Sequence, residues 1–259
     1  MGDALQLHAL PSLDEPTLIL AFDGWNDAGD SGTAAARFVC NELPMAPLAE
    51  IDPEEYYDFT VNRPTVVIGK DHKRRIEWPS FQFQFASVEN RCDIIVGVGS
   101  EPHLKWRSFC DDVLELAQRV NARRVVLLGA YLADVLYSRP VRVTGFSHPP
   151  DALGALGIEP SGYEGPTGIV GVLGDRLRQE GIPVMSFWAA LPHYITATPN
   201  PRGALALIQI LTRYLDLPLD QTRLTTAAAD FEVQINEQVA ADPDLSEYVR
   251  ELKKREFAQ

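Results

Sequence analysis

The chain has 259 residues, of which 46% are hydrophobic and 23% are charged, as in a globular protein that can bury a substantial core. Its 36 acidic and 23 basic residues give a net charge of −13, which disfavours binding to nucleic acid or to anionic membrane surfaces. Three cysteines without a paired spacing, no apolar run of membrane-spanning length and no signal-like N-terminus predict a soluble cytoplasmic protein.

Strand and helix signals alternate along the chain. Apolar or alternating runs predict strands at residues 18–22, 48–51, 66–70, 81–85, 92–98, 124–128 and 183–189. Helical patterns cover residues 31–43, 104–120, 166–179, 200–216 and the segment from 221 onward, with a break at Asp242–Pro243. The Pro- and Gly-rich residues 135–165 predict a long functional loop with one short helix.

This alternation predicts an α/β fold of three layers, α/β/α, with a largely parallel mixed sheet covered on both faces. No composition shift or repeat marks a linker, so we expect one domain. Residues 1–219 form its core, and residues 220–259 form a helical C-terminal extension of the same domain.

The first polar motif follows the first strand and consists of Asp23, Gly24, Trp25, Asn26 and Asp27. Glycine permits a tight or left-handed turn, and it leaves two carboxylates and an amide at a strand end. One interpretation is a ligand- or cation-binding loop. The other is a turn whose Asp and Asn side chains satisfy its own backbone while Trp25 covers the core.

The second motif, at residues 97–106, begins like a dinucleotide-binding G-x-G-x-x-G, but Pro102 stands in place of the third glycine. We therefore reject a dinucleotide site. Glu101, His103 and Lys105 still lie between a strand and a helix start, where anions bind. Glu101 and His103 lack a third ligand at a recognisable spacing, so no metal site is predicted.

Three more motifs follow later strands. Asp134 and Arg139 either pair with each other or face the same crevice as Asp23. The helix start predicted at residues 164–168 would expose backbone N–H groups to an anion, although it lacks the lysine of a phosphate-binding loop. Its candidate ligand-binding residues are Glu164, Gly165, Thr167 and Gly168.

His193, followed by Tyr194, is the best general-base candidate of the chain because it comes directly after a predicted strand. The sequence around Ser147 is similar to the G-x-S-x-G nucleophile elbow of hydrolases, but Pro149 replaces the last glycine and we reject that signature. Because the carboxyl ends of parallel strands meet at one edge, we expect the polar motifs to converge on a single rim of the sheet.

The five motifs GWNDAGDSG, GSEPHLKW, GAYLADVLYSRP, EGPTGIVGVL and WAALPHY occur in this order. Together they resemble the PAC2 (proteasome assembly chaperone 2) family in its actinobacterial branch, over roughly residues 15–250. The resemblance implies an α/β/α fold of the phosphorylase/hydrolase type.

The resemblance also implies partners. Eukaryotic and archaeal relatives assist assembly of the 20S proteasome through a C-terminal hydrophobic-Tyr-any tail, whereas Ala258 stands at the tyrosine position here. Some relatives are labelled ATP-grasp ligases, but this chain has neither a glycine-rich lid nor a lysine-bearing loop. The apolar C-terminal helices predict self-association as a homo-oligomer, for which a trimer is one option.

Two functions remain open. The first is a non-enzymatic proteasome-assembly-chaperone-like or protein-interaction factor, with no cofactor. The second is binding of a small polar, nucleoside-like metabolite, or a hydrolase- or phosphorylase-like enzyme acting on it. In that case Asp23, Glu101 and His193 are the catalytic candidates.

Overall fold

The computed structural model describes residues 4–89 and 91–257. Its strands are β1 (Leu5–Leu7), β2 (Thr17–Asp23), β3 (Ala46–Ile51), β4 (Thr65–Ile68), β5 (Arg74–Glu77), β6 (Phe81–Ala86), β7 (Ile94–Ser100), β8 (Arg124–Ala133), β9 (Val143–His148), β10 (Glu159–Pro160) and β11 (Val184–Pro192). Its α-helices are α1 (Ser31–Glu42), α2 (Trp106–Arg119), α3 (Ile169–Gln179), α4 (Pro201–Leu215), α5 (Thr222–Ala241) and α6 (Pro243–Phe257).

Nine strands form one mixed sheet in the order β1-β3-β6-β7-β2-β8-β11-β9-β10. The four central strands, β7, β2, β8 and β11, are parallel, and antiparallel strands extend the sheet on both sides. The predicted α/β fold with a largely parallel mixed sheet is confirmed. The carboxyl ends of the four parallel strands share one edge of the sheet, which we call the rim.

The central strand β2 explains why both faces of the sheet are covered. Leu18, Leu20 and Phe22 point to one face and pack with α2 and α3, whereas Ile19 and Ala21 point to the other and pack with α1 and α4. All five side chains are buried, as expected for a strand inside a three-layer fold.

Helices α5 and α6 enclose a third apolar cluster beside the rim. Phe231, Ile235 and Val249 are buried there against Leu136 and Ile195, which follow β8 and β11. The apolar periodicity of the C-terminal helices is therefore used in packing within the chain, and it does not by itself require a second copy. None of the helices in the described ranges has the length and hydropathy of a membrane span.

Strands β4 and β5 form a separate two-stranded sheet that pairs antiparallel. With its flanking residues it makes up the segment 61–78, which we call the arm. Asn62 fixes the base of the arm by donating a 2.8 Å hydrogen bond from Nδ2 to Ser100 Oγ at the end of β7. Lys73, Arg74 and Arg75 give the start of β5 a basic edge.

The segment 135–165 differs from the predicted loop with one short helix. It contains β9, which pairs antiparallel with β11, and the short edge strand β10. Gly145 and Ser147 interrupt the apolar pattern of β9, so no strand signal stood out. Strand β8 also continues to Ala133, five residues beyond the predicted end at Leu128, because β11 pairs with it along its whole length.

Candidate functional site

The loop after β2 is held by its own backbone and by β8. Gly24 has a φ of 125°, and its carbonyl accepts a 3.0 Å hydrogen bond from the N–H of Asp27. The carbonyl of Asn26 accepts another, of 2.9 Å, from the N–H of Ala130. Trp25 is 63% exposed, so it does not cover the core as one of the two interpretations expected.

Asp27 is buried and caps α1. Its Oδ1 accepts from the N–H of Gly32 at 2.5 Å, and its Oδ2 accepts from the N–H of Thr33 at 3.1 Å and from Thr33 Oγ1 at 2.5 Å. Burial raises the pKa of Asp27, although these hydrogen bonds oppose the shift. Both carboxylate oxygens are thus engaged by the helix start.

Glu101, which follows β7, links the loop after β2 to the start of α3. Its Oε1 accepts a 2.6 Å hydrogen bond from Asn26 Nδ2 and a 2.7 Å hydrogen bond from the N–H of Ile169, the first residue of α3. A carboxylate at a helix N-terminus is favoured by the free N–H groups and the helix dipole. Glu101 therefore occupies the position that the sequence assigned to an external anion.

The start of α3 lies three residues later than predicted, at Ile169 instead of Pro166. Glu164, Gly165 and Thr167 are exposed ahead of it. Gly168 is the N-cap, and a Cβ there would lie 2.3 Å from Asn26 Oδ1, so only glycine fits beneath that amide. Asn26 Oδ1 is itself buried and has no hydrogen-bond partner among the described residues.

The remaining residues of the second motif hold the loop that follows β3. His103 Nδ1 accepts a 3.0 Å hydrogen bond from the N–H of Asp58, and Lys105 forms a 2.5 Å ion pair with Glu55. Both side chains thus tie that loop to the start of α2 and lie outside the rim.

A second group of rim residues binds the C-terminal helix. His193 Nε2 lies 2.9 Å from Asp134 Oδ1 and 2.9 Å from the hydroxyl of Tyr248 in α6. Tyr194 donates from its hydroxyl to the carbonyl of Val135 at 2.9 Å, and its ring centroid lies 5.2 Å from that of Tyr248. The general-base candidate therefore positions α6.

Arg139 also contacts α6, through an ion pair of 3.3 Å with Glu256. Asp134, its suggested partner, instead binds His193 and accepts a 3.2 Å hydrogen bond from the Tyr248 hydroxyl. Asp134 and Arg139 thus share the task of fixing α6 on the rim. Tyr248 has no sequence signal for this role, because the pairing is between residues far apart in the chain.

Asp23 is exposed at the end of β2, and it lines a cleft of about 600 Å³. Strands β6 and β7 form the floor of the cleft, α1 forms one wall and the base of the arm forms the other. Two arginines, Arg37 from α1 and Arg63 from the arm, line it together with Trp78. These three were not candidates, because only the tertiary fold brings them beside Asp23.

Cys40 also lines the cleft, where burial raises the pKa of its thiol to about 11. The thiol is therefore protonated at neutral pH, which makes it a weak nucleophile. Cys40, Cys92 and Cys110 are all free thiols.

Three carboxylates stand close together beside the cleft. Oxygens of Asp23, Asp27 and Asp30 lie within 4.8 Å of one another, a spacing that could hold a cation. Both oxygens of Asp27 already accept hydrogen bonds from α1, and the positive end of the helix dipole stabilises neighbouring carboxylates without an ion. The sequence prediction of no metal site stays a prediction.

Comparison with known families agrees with this architecture. The profile of the PAC2 family matches residues 21–239, which include every rim residue described above except Tyr248 and Glu256. The chain belongs to the PAC2 family. The resemblance drawn from the five sequence motifs is thereby confirmed.

Solved structures of PAC2 proteins from two actinobacteria superpose on this chain. The Mycobacterium tuberculosis proteasome-assembly chaperone homologue Rv2125 is 37% identical, with a TM-score of 0.82 over 90% of this chain and 99% of its own. A PAC2 family protein from Streptomyces avermitilis is 38% identical, with the same TM-score and coverage. Rv2714 of M. tuberculosis, of unknown function, is 27% identical, with a TM-score of 0.88 over 100% of this chain and 90% of its own. The search of curated proteins gave no match.

Proposed function

We propose that this PAC2 protein is a non-enzymatic protein-interaction factor of the proteasome-assembly-chaperone kind, and that it self-associates. The observation that carries this proposal is the use of the strand-end carboxylates. Of the three catalytic candidates, Glu101 caps α3 and His193 is bound to Asp134 and Tyr248, so two of them hold the fold together. Asp27, the second carboxylate of the loop after β2, caps α1 in the same way.

The relatives indicate which kind of partner to propose. Rv2125, a proteasome-assembly chaperone homologue, aligns over nearly its whole length, so the proposed partner is a proteasome subunit. The tail prediction falls on Phe257, whose side chain is not described, and on Ala258 and Gln259, which lie outside the described residues.

The direct test mixes the purified protein with proteasome α- and β-subunits of its own organism. Co-elution with α-subunits on size-exclusion chromatography, and faster appearance of peptidase-active 20S particles, are the expected results. The His193→Ala variant should behave like the wild type, because His193 is assigned to α6 and not to catalysis. The proposal is overturned if no complex forms and the assembly rate does not change.

A second candidate function, binding of a small polar metabolite, is favoured by one observation. The cleft beside Asp23 has a volume typical of ligand sites and offers two arginines, two carboxylates and an indole ring. These groups suit a nucleoside-like molecule, with Trp78 for stacking and Asp23 for hydroxyl groups.

A thermal-shift screen against nucleosides, nucleotides and phosphate tests this candidate. A ligand at a hundred times its dissociation constant adds about 2.7 kcal/mol of stability, or several degrees in melting temperature. The shift should disappear in Asp23→Asn and in Arg37→Ala, and it should persist in the matched control Arg223→Ala on α5. The absence of any shift across the panel would remove the metabolite function.

A further inference from the structure

The arm stands apart from the rest of the molecule in its exposure. Among the strands of the described ranges, β4 and β5 pair only with each other, and seven of their eight residues are exposed. A two-stranded hairpin without a covered face is at best marginally stable in water. A hairpin with two exposed faces gains stability when another protein surface covers one of them.

One face of the arm is apolar. Val66 pairs with Ile76 across the two strands, and Ile68 pairs with Arg74, so these side chains share a face. The opposite face carries Thr65 and Glu77, which line the cleft. The apolar face is therefore the one that points away from the cleft.

The exposed apolar side chains of the protein are concentrated here. Of the 13 large hydrophobic residues that are exposed in the described part of the chain, five lie within the 18 residues of the arm. They are Val61, Val66, Ile68, Ile76 and Trp78. Three of them, Val66, Ile68 and Ile76, share the apolar face of the hairpin. Apolar side chains grouped on one exposed face mark an interaction site more often than scattered single residues do.

The charge of the arm is opposite to that of the remaining chain. Five of the 23 basic residues and only two of the 36 acidic residues lie in the arm, which gives it a net charge of +3. The remaining 18 basic and 34 acidic residues give the rest of the protein −16. Two arms repel each other, whereas an arm and the body of another copy attract.

We propose that the apolar face of the arm docks on the acidic body of a second copy of this chain. The inference rests on the self-association part of the proposed function and names the surface that carries it. The contact is of one arm with one body, not of arm with arm, because the charges of two arms are alike. Arg74, which shares the apolar face, would contribute the electrostatic part of the contact.

Sedimentation velocity of the full chain over a range of protein concentrations tests this inference. We expect the wild type to form an oligomer. The double variant Ile68→Ser with Ile76→Ser should raise the dissociation constant of the oligomer at least about tenfold, because it removes two apolar side chains that the proposed contact would bury. Arg74→Glu should weaken association as well while leaving the apolar face intact. Val233→Ser, which removes an exposed valine from α5, is the matched control and should sediment like the wild type.

Each outcome decides a different point. Circular dichroism and thermal unfolding show whether each variant keeps its fold. If the double serine variant is misfolded, Arg74→Glu still tests the inference, because it changes only an exposed side chain. A wild type that is monomeric at every concentration overturns both self-association and the arm inference. An oligomer that persists in the arm variants overturns the arm inference alone. Binding to proteasome subunits is measured separately, so its failure is distinguishable from either.

Discussion

The rim and the arm are both polar or exposed segments next to the same cleft, yet they differ in how their side chains are used. At the rim, Asp27 and Glu101 each accept hydrogen bonds from a helix start, and His193 binds α6. In the arm, Val66, Ile68 and Ile76 contact mainly solvent. Asp27, Glu101 and His193 therefore contact other parts of the fold, whereas the exposed apolar side chains of the arm lie in a hairpin that has no catalytic motif.

The comparison predicts the largest loss of stability for Asp27→Ala. The change leaves the buried N–H groups of Gly32 and Thr33 without an acceptor, so we expect the free energy of unfolding to fall by roughly 3 kcal/mol. Urea denaturation of the variant and of the wild type measures this. A loss below about 0.5 kcal/mol, the usual range for a surface residue, would show that Asp27 is free for function.

Glu101→Ala should cost somewhat less, about 2 kcal/mol, because Glu101 is only partly buried. The change removes the acceptor for the N–H of Ile169 and for Asn26 Nδ2. Glu101→Gln retains an amide oxygen at the same place and is the matched control, with a smaller loss. Equal losses in the two variants would mean that the charge, not the hydrogen-bond acceptor, matters at the start of α3.

Gly168→Ala tests the close contact under Asn26, and we expect a loss of about 1.5 kcal/mol from overpacking. No described atom lies within 4 Å of the place that a methyl group on Gly154 would take, so Gly154→Ala provides a control that should be nearly neutral. Chemical denaturation of both variants gives the comparison. If Gly168→Ala were neutral too, the Asn26 amide could move aside and would not be fixed by the fold.

The pH dependence of stability gives a smaller effect of known direction. Burial raises the folded-state pKa of Asp27 above its unfolded value of 3.8, so protonation of this carboxyl favours the folded state. The stabilisation is fully present below the unfolded pKa and is lost as the pH rises through the folded pKa. Relative to Asp27→Asn, the wild type should therefore gain stability as the pH falls from 7 towards 4, and a relative loss would contradict the assignment.

The smallest effect on the monomer is expected in the arm. Ile68→Ser with Ile76→Ser should change the free energy of unfolding of the isolated monomer by no more than about 0.5 kcal/mol, because both side chains are exposed. Dilute solutions, in which the chain is monomeric, are required for this measurement. A loss of several kcal/mol would show that the arm packs on its own chain.

Local patterns in the sequence predicted most of the fold. Strand β2 and the start of α1 were placed to within a residue or two, because an uninterrupted apolar run and a helical pattern are local signals. The cap of α1 is the Asp27 carboxylate, which the local pattern did not indicate. Strand β9 was missed because Gly145 and Ser147 break its pattern, and pairing with β11 stabilises it in their place. A local sequence pattern does not show which distant strand will pair with a segment.

The candidate site was predicted only as a set of positions. Glu101 and Ile169 are 68 residues apart, and nothing in either segment indicates that one caps the other. Arg37 and Arg63 are likewise far apart in the sequence, and only the folded chain brings them into the cleft that Asp23 lines. The residue types at the rim were informative, whereas their partners decided whether they serve the fold or a ligand.

One measurement tests the contrast between rim and arm most directly, namely sedimentation velocity of three proteins at equal concentration. They are the wild type, a rim variant with His193→Ala, and the arm variant with Ile68→Ser and Ile76→Ser. We expect the rim variant to sediment with the wild type as an oligomer and the arm variant to sediment as a smaller species. An arm variant that stays oligomeric while the rim variant dissociates would contradict this contrast.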